Sequence, residues 1–577
     1  MRARRAVGSL AALAALTALA LLLVACEADE PDEPFDEPPA PAEPEPDEDD
    51  DEPEDAGDEP DEAAEDEPDE PDEAEEPQGP GAYAVSAGHP AAVDAGMQVL
   101  EAGGSAVDGA IAAAVAVSVV EPFASGIGGG GQTLVAAPGE DPLAYDYREV
   151  VPDDGQVPAV GTGVPGFVAG MERLHDEHGE AEWADLLAPA IDLAEGAETS
   201  GLMHEQLVAA AGRLPVGDLP HLYPGGQALA PGAPLEQPEL AETLRRLADG
   251  GAEVFYEGAM AEELGAAATG VDAGSLASYE VQRSEPPRGE FGGYEVVGAA
   301  PPLPGSTLVQ QLQIVEAAGG AEAAPGSADA IHATAMGWRA ARAHISWDLG
   351  DPAFVDVPTD VHTDAERNAA IAADIPPDGL LPVDPGQPRG GTDPNTTHVT
   401  VVDADGQTVS MTNTLTNFWG SGQYALGFFL NDQLARFSIG QGGANVPEAG
   451  RRSVSWSLPA MVLDGEGRPV LGIGTPGGER IPNVLTQVLT RWALHGQPLE
   501  EAVAAPRYHL EGSALQVEQQ LGGEVTGELQ ARGYTGVEVR PALYFGSVQA
   551  LEVDYDAGEV SGARDDRREA DWRADRP

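Results

Sequence analysis

The rhythm of apolar and polar positions changes several times along this chain, and each change predicts an element. Residues 83–86 suit a strand, and residues 91–102 then repeat apolar side chains at helical spacing until Gly103-Gly104 stops them. Ser105 caps a second helix over 106–120, apolar almost all round yet too short to cross a bilayer, which predicts a buried core helix. Glycines at 126 and 128–131 follow it and lead into a strand over 132–137. A phosphate-binding loop needs the reverse order, strand before helix, so nucleotide binding is not expected there. Amphipathic helices are predicted over 164–174, 183–196, 240–248 and 328–345. After Asp393 the pattern turns to alternation and β-branched residues, predicting strands over 397–402, 408–415, 460–463 and 471–474. From Gly81 to Pro577 no linker interrupts this pattern, so one continuous core of mixed α and β is expected.

Composition divides the rest. Arg2, Arg4 and Arg5 precede an apolar run that ends at Ala25, before the single cysteine, Cys26. This reads as a signal peptide over residues 1–25. Leu23-Val24-Ala25-Cys26 resembles a bacterial lipobox, with Cys26 as the lipidated N-terminus of a protein anchored to the outer face of the membrane. The other reading is an uncleaved membrane helix. Residues 26–80 are almost all Asp, Glu, Pro and Ala, too polar to offset the entropy of ordering, and read as a disordered tether reaching on the order of 150 Å, or else as an acidic interaction tail. Removing the 30 acids of residues 27–80 and the three leading arginines from the net charge of −72 still leaves −45 on the remainder. Such a surface excludes nucleic acid as a partner. All 28 basic residues are arginine, and dense carboxylates suit a halophilic, saline setting. His175 and His178 have a spacing that could hold a metal, but no further ligands accompany them and Gly179 marks an ordinary helix stop.

The chemistry concentrates in Asp393-Pro394-Asn395-Thr396-Thr397-His398-Val399-Thr400. This segment resembles the processing site of the gamma-glutamyltranspeptidase (gamma-glutamyltransferase) family, and matching segments recur in the family's order over most of residues 82–570. The resemblance implies self-cleavage between Asn395 and Thr396, giving a large subunit (81–395) and a small subunit (396–577) that remain a heterodimer. A hydroxyl is a weak nucleophile until a base stands beside it, and the freed amine of Thr396 would be that base. By the same resemblance Thr414 would hydrogen-bond the nucleophile, and Gly477 and Gly478, in Gly474-Thr475-Pro476-Gly477-Gly478, would receive the oxyanion. Arg148, in Asp146-Tyr147-Arg148-Glu149, would hold a substrate carboxylate by a paired hydrogen bond, unless it merely pairs with Glu149. Gln433 and Ser455 fall on substrate-binding positions. The segment 161–170 matches a structural turn and helix of the family.

Three departures stand out. Thr416 replaces an asparagine, Ser455-Trp456 replaces a serine pair, and Arg436 stands where an aspartate holds the substrate's ammonium group. An arginine there repels an ammonium and attracts a carboxylate. The expected acyl group is therefore a dicarboxylate without a free amine, such as a glutaryl amide or an internal poly-gamma-glutamyl unit, rather than free glutathione. The stretch 439–451 is shorter than the family's lid loop, which predicts an open cleft and hydrolysis as the main outcome. The implied fold is the four-layer αββα sandwich (α/β, α+β) of N-terminal nucleophile hydrolases, and the implied chemistry needs no metal or organic cofactor. The small-molecule or peptide gamma-glutamyl substrate, the two subunits and the membrane would be its partners. A rival is a non-catalytic surface lipoprotein that uses the fold as a binding module. A serine hydrolase lacks support, since no Gly-x-Ser-x-Gly elbow occurs.

Overall fold

Two antiparallel sheets form the centre of the fold, each packing one face on the other sheet and one on helices. The computed structural model describes residues 79–383, 394–438 and 443–577. The signal peptide, Cys26, nearly all of the tether and the first four residues of the short 439–451 stretch lie outside these. The described residues belong to one compact unit, Glu73–Pro577.

The strands of the two large sheets, in chain order, are β1 (Tyr83–Ala87), β2 (Gly130–Ala136), β3 (Leu143–Asp146), β4 (Gln282–Ser284), β5 (Arg288–Phe291), β6 (Tyr294–Gly298), β7 (Pro394–Val402), β8 (Thr408–Asn417), β9 (Ala460–Leu463), β10 (Pro469–Gly474), β11 (Gln549–Asp554), β12 (Glu559–Gly562) and β13 (Asp571–Asp575). One sheet runs β13-β1-β7-β8-β2-β3-β4 and the other β12-β11-β10-β9-β6-β5, with every pairing antiparallel. The predicted strands appear within three residues of their expected ends, which is where pairing rather than side-chain pattern decides where a ladder stops.

Helices α1 (Pro90–Glu101) and α2 (Ala106–Val120) cover the first sheet. Among those that follow are α3 (Phe167–His178) and α4 (Trp183–Gly196). On the far side, α5 (Gly305–Ala317) lies on the second sheet, α6 (Ala328–Trp347) packs on α5, and α7 (Thr359–His362) and α8 (Ile481–Leu489) complete that layer. All 15 residues of α2 are buried, as its all-round apolarity requires. Its start is fixed by a capping box, Ser105 accepting from the Asp108 N–H and Asp108 accepting from the Ser105 N–H, a device that contributes about 1 kcal/mol. None of the helices among the described residues is long and apolar enough to cross a membrane.

Between the sheets, Leu134, Ala136, Val297, Met461 and Leu463 form one apolar cluster, and Ala84, Val402, Leu551 and Val553 another. In β7, Val399 and Val401 face the helices, so His398, Thr400 and Val402 face the second sheet. The result is the αββα sandwich that the resemblance implies.

Candidate active site

Thr396 shares the parity of His398, so its side chain belongs to the space between the sheets, and it is 4% exposed. Opposite it the β7–β8 register slips. Thr397 pairs with Asn413 but Asn395 pairs with Thr416, so Thr414 and Leu415 together oppose Thr396. This bulge turns the Thr414 hydroxyl toward the nucleophile position. Thr396 Oγ1 donates to Thr414 Oγ1 at 3.4 Å, and Thr414 Oγ1 accepts the Thr416 N–H at 2.7 Å. Thr416 adopts φ of 84°, a left-handed conformation uncommon for a β-branched residue, which holds the bulge at the cost of local strain.

Below Thr396 lies a layer that carries no charge at neutral pH. His398 is fully buried between Thr412 Oγ1 (2.8 Å from Nδ1) and Thr400 Oγ1 (3.0 Å from Nε2), and burial lowers its pKa to about 3. It therefore holds strands together as a neutral ring. Gly472 and Gly474 of β10 let the sheets approach here, a Cβ on Gly474 coming within 2.2 Å of the His398 ring. On the helix side, Glu121 at the end of α2 hydrogen-bonds Thr397, and burial raises its pKa to about 7 against the attraction of Arg568. Arg568 Nη1 donates to the Thr396 carbonyl at 3.4 Å. Neither residue was singled out in the sequence. Glu121 looks like a helix-end carboxylate, and Arg568 sits in the charged run Arg564–Glu569, which reads as a solvated face.

A polar rail runs from the bulge. Thr416 Oγ1 donates to Gln433 Oε1, Gln433 Nε2 donates to Ser453 Oγ at 2.8 Å, and the Ser453 carbonyl accepts from Arg148 Nη1 at 2.8 Å. Arg148 is wholly buried, and its remaining donors go to Asp146, Nε to Oδ1 at 3.1 Å and Nη2 to Oδ2 at 2.7 Å. The paired hydrogen bond expected for a substrate carboxylate is thus made to a protein carboxylate, because a buried guanidinium must satisfy each donor. Burial alone would raise the Asp146 pKa, but Arg148 and Arg452 together hold it below the usual range. Nor does Arg148 pair with Glu149, whose buried oxygens have no hydrogen-bond partner and whose pKa burial raises to about 8.

The turn Gly478–Arg480 packs against β7, which brings the glycine loop to the nucleophile strand. Gly477 (φ 140°) and Gly478 (φ 61°) adopt conformations that side chains disfavour. Thr475 Oγ1 accepts the Ser547 N–H at 3.1 Å, fixing the loop from behind. Next to it, Glu479 stands 3.7 Å from Arg342, whose guanidinium lies over the Trp456 ring at 5.4 Å. Arg436 is buried, attracted by Asp432 and Glu479 and repelled by Arg480. Ser455 is buried next to Trp456. A cleft of about 490 Å³ opens beside the bulge, lined by Gln206, Arg213, Asn417, Trp419 and Asp432 among others. His175 and His178 have separate partners, the Ala181 carbonyl at 2.8 Å and the Tyr145 hydroxyl at 2.7 Å.

A sequence profile of the family described as gamma-glutamyltranspeptidase matches residues 92–574. The capsule biosynthesis protein CapD proenzyme of Bacillus anthracis is 37% identical over 507 residues, 86% of this chain and 91% of the relative. The glutathione hydrolase proenzyme of Pseudomonas aeruginosa is 36% identical, over 80% of this chain and 90% of its own. Among solved structures, cephalosporin acylase from Bacillus halodurans superposes with a TM-score of 0.78 at 23% identity, covering 85% of this chain and 95% of its own, a likeness of fold. With the profile spanning most of the folded part and these relatives matched nearly end to end, the chain belongs to the gamma-glutamyltranspeptidase family of N-terminal nucleophile hydrolases.

Proposed function

We propose that this chain cuts itself between Asn395 and Thr396 and then hydrolyses gamma-glutamyl or glutaryl-type amides through an acyl-enzyme on Thr396. The observation that carries the reading is the pairing of the Thr396 and Thr414 hydroxyls across a bulge at the head of a central strand, with the glycine turn packed against that strand. Before cleavage the Thr396 nitrogen is an amide and cannot take a proton. Afterwards it is an amine with an unperturbed pKa of about 8, a usable base near neutrality. Thr396 Oγ1 attacks the amide carbonyl, its own amine takes the hydroxyl proton and passes it to the leaving nitrogen, and the Gly477 and Gly478 amides receive the oxyanion. Each such donor is worth about 3 kcal/mol in the barrier. Water then releases the acid. Relatives named as proenzymes favour this reading over a binding module.

For the acyl group, Arg436 beside the rail favours a carboxylate over an ammonium. The cleft beside Asn417 leaves space for a bulky chain. In this reading Arg148 positions Ser453 and, through it, Gln433 and Thr416. The leader, Cys26 and the acidic tether would hold the enzyme at the outer face of the membrane.

Denaturing electrophoresis of the purified protein is expected to give two fragments, and Thr396→Ala a single one with no amidase activity. An intact chain with full activity defeats the proposal. Kinetics on paired anilides test the acyl group: glutaryl anilide is expected to give the higher kcat/KM, with Arg436→Asp reversing the order. A clear wild-type preference for the gamma-glutamyl anilide overturns the glutaryl assignment.

A further inference from the structure

Away from the nucleophile, His344, Asp348 and His362 converge. His344 is in the last turn of α6, Asp348 caps that helix four residues on, and His362 ends α7. Their ligand atoms all lie within 4.8 Å of one another, with His344 Nδ1 and His362 Nε2 at 3.1 and 3.2 Å from the same oxygen, Asp348 Oδ2. From this geometry we infer a binding site for a first-row divalent cation, zinc foremost, held by His344 Nδ1, His362 Nε2 and the Asp348 carboxylate, with water completing the shell.

Three features favour a shared cation over a plain hydrogen-bonded trio. Metal–ligand bonds of about 2.0–2.1 Å place neighbouring donors of a tetrahedral zinc about 3.3 Å apart, close to the two separations observed. His344 Nδ1 is buried and 3.1 Å from the carboxylate oxygen, which lies off the ring N–H direction. A donor aimed past its neighbour is what two lone pairs directed at a third atom produce. Finally, Ser306 Oγ at the start of α5 meets His362 Nδ1 at 3.0 Å. Without an ion, His362 Nε2 hydrogen-bonds Asp348 Oδ2 at 3.2 Å; with a cation between them, Ser306 Oγ would accept the Nδ1–H, the arrangement by which an outer partner orients a metal-bound imidazole.

His344 and Asp348 are partly exposed, at 19% and 35% of their side-chain surface, which gives a cation a path in. Imidazole with one carboxylate selects zinc and its neighbours over calcium or magnesium, which take oxygen ligands. Such an ion would clip α6 to α7 across a loop in which Asp351 accepts the Arg452 N–H at 2.7 Å, next to Ser453 of the rail. The H-x3-D-x13-H spacing is easily overlooked, since only the first pair shares a helix face.

The test uses the full-length protein stripped with a chelator and titrated with Co²⁺ as a spectroscopic stand-in, then with Zn²⁺ in competition. One equivalent of Co²⁺ is expected to bind with visible ligand-field bands that Zn²⁺ displaces. His344→Gln and Asp348→Asn, both at partly exposed positions, are expected to abolish the bands, and Ser306→Ala to weaken binding about 10–100-fold. Zinc is expected to raise the melting temperature of the stripped wild type but not of His344→Gln. Substoichiometric binding by the wild type, or unchanged binding in both His344→Gln and Asp348→Asn, overturns the site.

Discussion

Glu121 stands beside Thr397, one residue past the nucleophile, and its environment makes its charge depend on pH near neutrality. Burial raises its pKa from 4.5 to about 7. The folded chain therefore keeps a proton that the unfolded chain releases near pH 4.5. Stability attributable to this group is complete below that value and is lost as the pH climbs to 7, a difference of about 3 kcal/mol. Glu121→Gln is expected to flatten that dependence, so chemical denaturation at pH 5 and pH 8 should give a smaller gap than in the wild type. An equal gap in both proteins would mean that the carboxyl is ionised throughout. At this scale the sequence was readable only where a motif marks the residue. Thr396 stands in such a motif, but Glu121 and Arg568 become neighbours of that strand only when segments 276 and 172 residues away fold onto it. Local pattern carries no trace of that meeting. Arg148 shows the opposite case: its motif was evident, yet its hydrogen-bond partner is settled by which carboxylate shares its burial.

Among elements, periodicity was the dependable guide. Helix α4 and strand β9 begin and end where the pattern predicts, since each buries one clear set of apolar residues. The bulge opposite Thr396 could not be read, because a register slip leaves no mark on the alternation of either strand alone. Strand β13, Asp-Trp-Arg-Ala-Asp, was also missed: it is an edge strand with three charged residues and forms because β1 offers it a free ladder. The close approach of the sheets at Gly474 gives an element-scale prediction. Gly474→Ala would drive a methyl against the His398 ring, and a destabilisation of about 1–3 kcal/mol is expected from calorimetry. A variant as stable as the wild type would mean that β10 can retreat from β7 without loss.

For the molecule as a whole, the order of strands interleaves the two products of the proposed cleavage. β8 and β7 from Thr396 onward, in the C-terminal product, lie between β1 and β2 of the N-terminal product, and β13 flanks β1 on its other side. In the second sheet, β9 from one product pairs with β6 from the other. Separating the products would break ladders in both sheets and expose their shared core. The fragments are thus expected to co-elute on size-exclusion chromatography in native buffer and to melt in one transition, whereas separate elution would contradict this topology. The leading end of β7 adds a last consequence. Pro394 and Asn395 pair with Asn417 and Thr416, next to the cleft. In the proposed cleavage, Pro394 and Asn395 become the free end of the N-terminal product, held in place by a strand of the C-terminal one.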